Sequence, residues 1–249
     1  MNFEILNKDS RYLPYIENIK KYISNDKKIL VVGANHKDVI IFSALGYKNV
    51  IFSNLFLDDF KKDMLENKEY MKTFEDINKQ EINMTKIPFE DNSFDFCTTS
   101  ASLHHCSKPH LALLEMYRVS KKGVVFIEGR DSILSKLLTK LGVLEEYEYS
   151  SIDEAQAQNK GGMDGTTIPN YVYKWTEREV EKLIKSYKPT KEHIYKYNYY
   201  FTNDNLANIR NKKFLNSLLN LFSIIFKVFF KIFKKQSNLM SVVIIKQYS

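Results

Sequence analysis

Two adjacent histidines and one glutamate stand where predicted strands end, and they are the side chains best suited to chemistry. His104 and His105 follow the apolar run from Phe94 to Ser100, and Glu128 ends the apolar run from Val124 to Ile127. An imidazole titrates near neutrality, and a carboxylate at a sheet edge can also accept a proton. The three residues are therefore predicted to act as proton acceptors in a catalytic site.

A metal centre is not expected at these residues. His104, His105 and Cys106 are consecutive, whereas metal ligands usually recur at fixed spacings. The chain has two cysteines, and the other, Cys97, lies in a predicted buried strand. Two such cysteines make no disulfide framework, which indicates reduced thiols in a cytoplasmic protein, with no signal peptide before them.

The elements around the histidines predict a parallel sheet. An amphipathic pattern from Pro109 to Val119 lies between the two apolar runs, and a Lys-Lys-Gly turn at 121–123 is expected after it. Strand, helix, strand with a short connection is a βαβ unit. Its strands end at one edge of the sheet, where ligands bind in such folds.

A second unit of the same kind precedes the first. The strand from Lys28 to Val32 runs into Gly33, a helix ends at Gly46, and the strand from Asn49 to Asn54 follows. The sequence further predicts strands at 80–83, 193–201 and 239–246, and helices at 10–24, 55–76, 131–147 and 176–187. Asp131 is expected to cap the helix at 131–147, whose leucines share one face.

The charge of the chain is concentrated in its last part. Residues 205–249 contain eight basic residues and no acid, which leaves 29 basic and 30 acidic residues before them. A nearly neutral body argues against a nucleic-acid partner. The basic end is typical of a segment that faces an anionic surface.

The run from Phe214 to Phe233 is long enough to span a bilayer, but its polar residues argue against a span. They recur every three or four residues as one stripe that includes Lys227 and Lys231. Residues 205–236 are therefore predicted to be a basic amphipathic helical insertion that lies on a membrane or grips a partner. Packing on its own domain and a homodimer interface remain alternatives.

A set of motifs around the histidines resembles the class I S-adenosylmethionine-dependent methyltransferases, in particular the ubiquinone/menaquinone branch and members from surface-polysaccharide clusters. The motifs are IPFEDNSFD from Ile87 to Asp95, LHH from Leu103 to His105, Glu115, Arg118-Val119, Lys122-Gly123 and Glu128. The resemblance implies one α/β domain over residues 1–249. Its fold would be a Rossmann-like, seven-stranded, mostly parallel sheet with an antiparallel seventh strand and helices on both faces.

The resemblance also implies a binding site for S-adenosylmethionine. The turn of Gly33, Ala34 and Asn35 would let the backbone approach the methionine part of the cofactor. Asn54 stands where the family places an acid for the ribose hydroxyls.

The later strands would complete the site. Asn83 stands at the position that reads the adenine amine, with Met84 beside it as an apolar wall, and Ser100 and Ala101 would face the methionine part. The acceptor implied is a small molecule, such as a glycan, a nucleotide-sugar or a lipid-linked intermediate of surface-polysaccharide synthesis. A quinone is the competing acceptor. The protein would be cytoplasmic and peripheral at the inner membrane face.

Three departures from the family pattern keep a second class of function open. Val31 replaces an acid, Lys37 replaces a glycine, and Asn54 replaces the ribose acid. These changes motivate the alternative of a scaffold with a methyltransferase fold that has lost turnover. The glycine-rich stretch at 160–170 and the aromatic residues Tyr171, Tyr173 and Trp175 are predicted either to close over an acceptor or to pack beside the following helix.

Overall fold

A computed structural model describes residues 10–66, 71–153, 161–190, 192–202 and 229–247. Seven strands form one sheet in the order β3-β2-β1-β4-β5-β9-β8. Their bounds are Ile29–Val32 (β1), Val50–Asn54 (β2), Lys79–Glu81 (β3), Phe94–Ser100 (β4), Ser120–Gly129 (β5), His193–Tyr200 (β8) and Leu239–Lys246 (β9). Tyr147–Glu148 (β6) and Asn170–Tyr171 (β7) pair as a separate two-stranded ribbon.

The helices lie on both faces of the sheet. They are Leu13–Tyr22 (α1), His36–Ala44 (α2), Leu57–Glu66 (α3), Met71–Asp76 (α4), Pro109–Val119 (α5), Ile133–Lys140 (α6), Ser150–Asp153 (α7) and Glu177–Tyr187 (α8). Ile29 and Val31 of β1 belong to the core that packs α1 and α2, while Leu30 and Val32 belong to the core that packs α5 and α8. All four residues are buried because both faces of a parallel strand are covered.

The predicted sheet is confirmed. Strands β1 to β5 pair in parallel, and β9 is antiparallel to both of its neighbours, β5 and β8. The turn predicted at 121–123 is wrong, because these residues belong to β5, which begins directly after α5. A side chain on Gly123 would clash with the carbonyl oxygen of Ile244, so the glycine serves the close approach of β9.

Two details of the helix after β5 differ from the sequence-based predictions. Ser132 caps it by accepting a hydrogen bond from the backbone N–H of Ser135, whereas Asp131 pairs with Lys136 at 3.0 Å. Ser132 is the N-cap because its hydroxyl reaches a free backbone N–H in the first turn of the helix. The helix is also shorter than the predicted range of 131–147, and Ile133, Leu137 and Leu141 are exposed.

The predicted insertion at 205–236 lies largely outside the described residues. Its end is described: residues 229–232 are helical, and a 3-10 turn follows at Lys234–Gln236. None of the helices in the described ranges is long and apolar enough to cross a membrane.

Candidate functional site

A tight turn after β1 begins the site. Gly33 has a φ of +62°, and a Cβ at this position would lie 2.6 Å from the Cβ of Ser102. The Ser102 hydroxyl donates to the carbonyl oxygen of Gly33 at 2.8 Å, which ties this turn to the end of β4. Gly33 is therefore required both by its left-handed backbone and by the close approach of the two loops.

The start of α2 explains how Asn35 fits the turn. Asn35 is the N-cap, with an extended φ of −124°, and its side chain accepts from the backbone N–H groups of Lys37 and Asp38. The Asp38 carboxylate accepts from the backbone N–H of Asn35 at 3.1 Å and from the Ser100 hydroxyl at 2.8 Å. Burial raises the pKa of Asp38 to about 7, although these hydrogen bonds favour its charged form.

The turn opens into a cavity of about 240 Å³, which we name the glycine-turn cavity. Seven residues predicted from the sequence to bind the cofactor line it: Gly33, Ala34, Asn35, Asn54, Asn83, Met84 and Ala101. Ser100, the eighth, is buried behind the wall, where its hydroxyl bonds to Asp38. The Asn54 amide donates to the carbonyl oxygen of Ala34 at 2.9 Å, so the ends of β1 and β2 are joined at this cavity.

Sequence reasoning missed several residues of this cavity. Phe56 and Asp59 enter it from the loop after β2 and the first turn of α3. The glycine-rich segment at 161–165, part of the stretch predicted either to close over an acceptor or to pack, covers another side of this cavity. Asp59 places a carboxylate in the same cavity as Asn54, the residue that the family resemblance put at the ribose position. The sequence signal that could have found Asp59 was the pair of acids, Asp58 and Asp59, in the first turn of the helix after β2.

A second cavity of about 240 Å³, the histidine cavity, adjoins the first. Its lining includes all three residues predicted to be catalytic, His104, His105 and Glu128. Ala101 and His105 line both cavities. Ala101 has a φ of +50°, a conformation that costs a non-glycine residue about 1 kcal/mol or more and often marks functional sites.

The buried carboxylate of Glu128 orients the imidazole of His104. It is 1% exposed, and one carboxylate oxygen accepts from the backbone N–H of Leu103 at 2.6 Å. The other lies 2.8 Å from Nδ1 of His104. Burial by itself would lower the pKa of His104, but the charge and hydrogen bond of Glu128, with the charge of Glu148, raise it above its ordinary value.

The pKa of His105 is shifted in the opposite direction to that of His104. Burial and the neighbouring His104 lower the pKa of His105 to about 4, so its ring is neutral at physiological pH. Its Nε2 lies 3.4 Å from the carboxylate of Glu148, and its Nδ1 lies 3.0 Å from the buried amide of Asn170. Glu148 and Asn170 face each other across the β6–β7 ribbon, which therefore supplies one wall of the cavity.

Within the described ranges, one group of side chains could hold a metal ion: His104, His105 and Glu148, whose ligand atoms lie within 4.8 Å of one another. Sequence reasoning missed Glu148, because its approach to the histidines depends on the ribbon. Charge pairing with Glu148, whose carboxylate lies 3.8 Å from Nε2 of His104 and 3.4 Å from Nε2 of His105, also accounts for this arrangement.

The aromatic stretch after β7 is divided between packing and the surface. Trp175 is fully buried in the core and contacts Tyr173 and Phe126 through its ring, so it takes the packing role. Tyr171 is exposed on the ribbon. Val172, between the aromatic residues, lines the histidine cavity.

Comparison with known proteins agrees with this architecture. Residues 42–127 match the methyltransferase domain family. An uncharacterized methyltransferase of Schizosaccharomyces pombe is 27% identical over 148 residues, which cover 55% of this chain and 50% of the yeast protein. The chain thus spans about half the length of this relative.

Two solved structures share the fold at low sequence identity. Magnesium protoporphyrin IX methyltransferase from Synechocystis PCC 6803, solved with S-adenosylhomocysteine, is 9% identical, with a TM-score of 0.55 over 100% of this chain and 89% of its own. The 1,6-didemethyltoxoflavin-N1-methyltransferase from Burkholderia thailandensis, solved with bound 1,6-didemethyltoxoflavin and S-adenosylhomocysteine, is 10% identical, with a TM-score of 0.54 over 99% of this chain and 82% of its own. Residues 42–127 of the chain are therefore similar to the methyltransferase domain family, and the chain shares the Rossmann-like fold of these two methyltransferases.

Proposed function

We propose that the protein transfers a methyl group from S-adenosylmethionine to a hydroxyl group of a small polar molecule. The observation that carries this proposal is the junction of two cavities at Ala101 and His105. One cavity has the lining expected for the cofactor, and the other has the proton acceptors. When bound, the cofactor supplies an electrophilic methyl group, and the remaining work is alignment and removal of a proton.

The glycine-turn cavity is proposed to bind the cofactor. The backbone at Gly33 can approach the methionine part because no side chain intervenes. The Oδ1 atom of Asn54 and the carboxylate of Asp59 are candidates to accept hydrogen bonds from the ribose hydroxyls. Asn83 is an exposed amide at the cavity wall, suited to the adenine edge, and Met84 offers apolar contact to the ring.

His104 is proposed as the general base of the histidine cavity. Its Nδ1 faces Glu128, so a neutral ring carries its proton there and leaves Nε2 to accept one from the acceptor hydroxyl. Glu128 then stabilises the imidazolium that forms. Neutral His105, at the junction of the cavities, is proposed to position the acceptor beside the methyl group.

A glycan, a nucleotide-sugar or a lipid-linked sugar is the proposed acceptor class. Glu128, Glu145 and Glu148 line the histidine cavity together with the two imidazoles. Carboxylates are strong acceptors for the hydroxyl groups of a sugar, whereas a quinone ring would gain little from burial against them. The polarity of the lining therefore favours a sugar over the alternative quinone.

A scaffold without turnover is the second candidate, motivated by Val31, Lys37 and Asn54. Calorimetric titration with S-adenosylmethionine and S-adenosylhomocysteine distinguishes the two. We expect one site for each ligand with a dissociation constant in the micromolar range. Absence of heat at millimolar ligand would support the scaffold and reject the enzyme.

Methyl transfer itself is tested with the tritiated cofactor. The protein is incubated with a small-molecule extract of the cells that make it, and labelled products are separated into water-soluble and butanol-soluble fractions. Label in either fraction that requires His104 supports the enzyme. Label in the butanol fraction indicates a lipid-linked acceptor.

A peripheral position at the inner membrane face, reached through residues 205–235, is proposed on the basic and apolar character of that sequence.

A further inference from the structure

Helix α6 turns an apolar stripe toward solvent. Ile133, Leu137 and Leu141 recur every fourth residue, and they are 78%, 51% and 65% exposed. An amphipathic helix of a globular protein normally packs such a stripe on its own core. The neighbouring Leu134 and Leu138 are less exposed, so this helix has a second apolar side that already faces the domain.

A second exposed apolar element lies next to α6. Ile232 and Phe233 are 68% and 54% exposed, just before the 3-10 turn at Lys234–Gln236. The side-chain oxygen of Gln236 accepts from the backbone N–H of Leu134, and its carbonyl oxygen accepts from the Ser132 hydroxyl, both at 3.1 Å. These bonds hold the two elements together, and their exposed apolar residues form what we name the α6 patch: Ile133, Leu137, Leu141, Ile232 and Phe233.

The rim of the α6 patch is basic. In the sequence from 131 to 141 and from 229 to 236 there are five lysines, Lys136, Lys140, Lys231, Lys234 and Lys235, and all are exposed. The same two segments contain one acid, Asp131, which pairs with Lys136. An apolar centre with a basic rim matches the chemistry of an anionic lipid surface, where acyl chains lie below negative headgroups.

The chain on either side of residues 203–228 is fixed close to this patch. The Thr202 N–H donates to Asn238 Oδ1, and Asn238 Nδ2 donates to the Thr202 carbonyl oxygen, both at 2.9 Å. Phe201 stacks on Phe230 with ring centroids 4.0 Å apart. The described residues that flank 203–228 thus lie beside the patch, and the sequence of 205–228 is rich in apolar and basic residues and contains no acid.

We propose that the α6 patch docks on an anionic membrane surface and brings the histidine cavity to a lipid-linked acceptor. Gly129 and Leu239 line that cavity. Along the chain, Gly129 lies four residues before Ile133, and Leu239 lies three residues after Gln236. The docked face and the cavity are therefore built from adjoining segments. The part that concerns the acceptor rests on the proposed function.

Vesicle flotation tests the docking. Wild-type protein is mixed with phosphatidylcholine vesicles that contain about 30% phosphatidylglycerol, or with phosphatidylcholine alone. We expect flotation with the anionic vesicles, and a drop of about tenfold or more in the membrane-bound to free ratio for the triple variant Ile133→Ser, Leu137→Gln, Leu141→Gln. Because these side chains are exposed, the variant keeps its fold, which the thermal unfolding midpoint verifies.

Matched variants define the specificity. Leu111→Gln and Ile194→Gln remove exposed apolar residues outside the patch and should float as wild type does. The double variant Lys136→Glu, Lys140→Glu should lose flotation on anionic vesicles, and about 0.5 M salt should have the same effect on wild type.

Three results would overturn the docking proposal. Wild type could fail to float with anionic vesicles, or the triple variant could float like wild type. Light scattering could instead show a wild-type dimer that the triple variant abolishes without flotation of either, which would assign the patch to a second copy of the chain. Calorimetry with S-adenosylhomocysteine on the same samples tests the two proposals separately. Absence of cofactor binding by wild type would reject the enzyme, whereas the flotation result alone would still decide the docking proposal.

Discussion

The glycine-turn cavity and the histidine cavity have the same volume of about 240 Å³ but are built in different ways. The first is assembled mainly from the ends of β1, β2 and β4 and the loop after β3, which meet at one edge of the parallel sheet. The second adds Tyr12, the β6–β7 ribbon and the start of β9. A cofactor cavity can thus be specified by motifs close in sequence, whereas an acceptor cavity depends on contacts between distant segments.

The two cavities also differ in their electrostatics. Near the glycine-turn cavity, the buried carboxylate is that of Asp38, which does not line the cavity and instead accepts hydrogen bonds from the Asn35 N–H and the Ser100 hydroxyl. In the histidine cavity the buried carboxylate of Glu128 contacts His104, and Glu148 lies between the two imidazoles. Changes in the first cavity should therefore alter cofactor affinity, and changes in the second should alter turnover.

The largest effect is expected from Glu128→Gln. The glutamine oxygen can still accept from the Leu103 N–H, but its amide N–H would then face Nδ1 of His104 and place the ring proton on Nε2. The base would be lost, and kcat should fall on the order of 10³-fold with cofactor affinity unchanged. The assay is transfer of tritiated methyl, with calorimetry for binding; turnover within a factor of two of wild type would contradict the role.

Gly33→Ala should come next, acting on the other cavity. The new methyl group would lie 2.6 Å from the Cβ of Ser102, and the backbone φ of +62° would be strained. We expect cofactor binding to weaken about 10- to 100-fold. Gly46→Ala is the matched control, since Gly46 has a φ of +77° but no atom within 4 Å of the added Cβ. Equal losses in both variants would show that backbone strain, and not the cavity, is responsible.

Asp59→Asn tests whether this carboxylate replaces the acid missing at Asn54. Removing one charge-assisted hydrogen bond should weaken cofactor binding by about five- to tenfold, as measured by calorimetry. Asp58→Asn, at the neighbouring exposed position outside the cavity, should bind as wild type does. An unchanged dissociation constant for Asp59→Asn would indicate that Asp59 does not bind the ribose and that Asn54 does.

The pH dependence of turnover should report His104. A base must be neutral to act, and the pKa of His104 lies above its ordinary value, so activity should rise with pH through a midpoint above about 6.5. His105, with a pKa of about 4, should not contribute to this limb. Glu148→Gln removes a carboxylate that raises the pKa of His104, so the midpoint should shift to lower pH. A shift to higher pH, or none, would contradict this coupling.

Removal of metal ions should have the smallest effect. If His104 acts as a base through Nε2, turnover should be unchanged after dialysis against a chelator and insensitive to added Zn²⁺ at equimolar amounts. Loss of activity that Zn²⁺ restores would instead assign His104, His105 and Glu148 to a metal centre.

The contrast between the cavities also explains what the sequence could predict. The parallel strands follow from apolar runs that end next to Gly33, Asn54 and Ala101, whereas the antiparallel last strand and the cofactor-side residues were implied by the family resemblance. Glu148 and Asp59 could not be found this way, because one depends on a two-residue ribbon and the other on the approach of a helix to the sheet edge. The outward face of α6 was missed because helical periodicity marks an apolar stripe and does not say what the stripe contacts.

A crystal structure with S-adenosylhomocysteine tests the central claim most directly, since that claim is the pairing of a cofactor cavity with an adjoining acceptor cavity. We expect the ligand in the glycine-turn cavity, in contact with Gly33, Asn54 and Asn83, with the histidine cavity still open at Ala101 and His105. A ligand bound elsewhere, or one that fills the histidine cavity, would contradict the assignment of the two cavities.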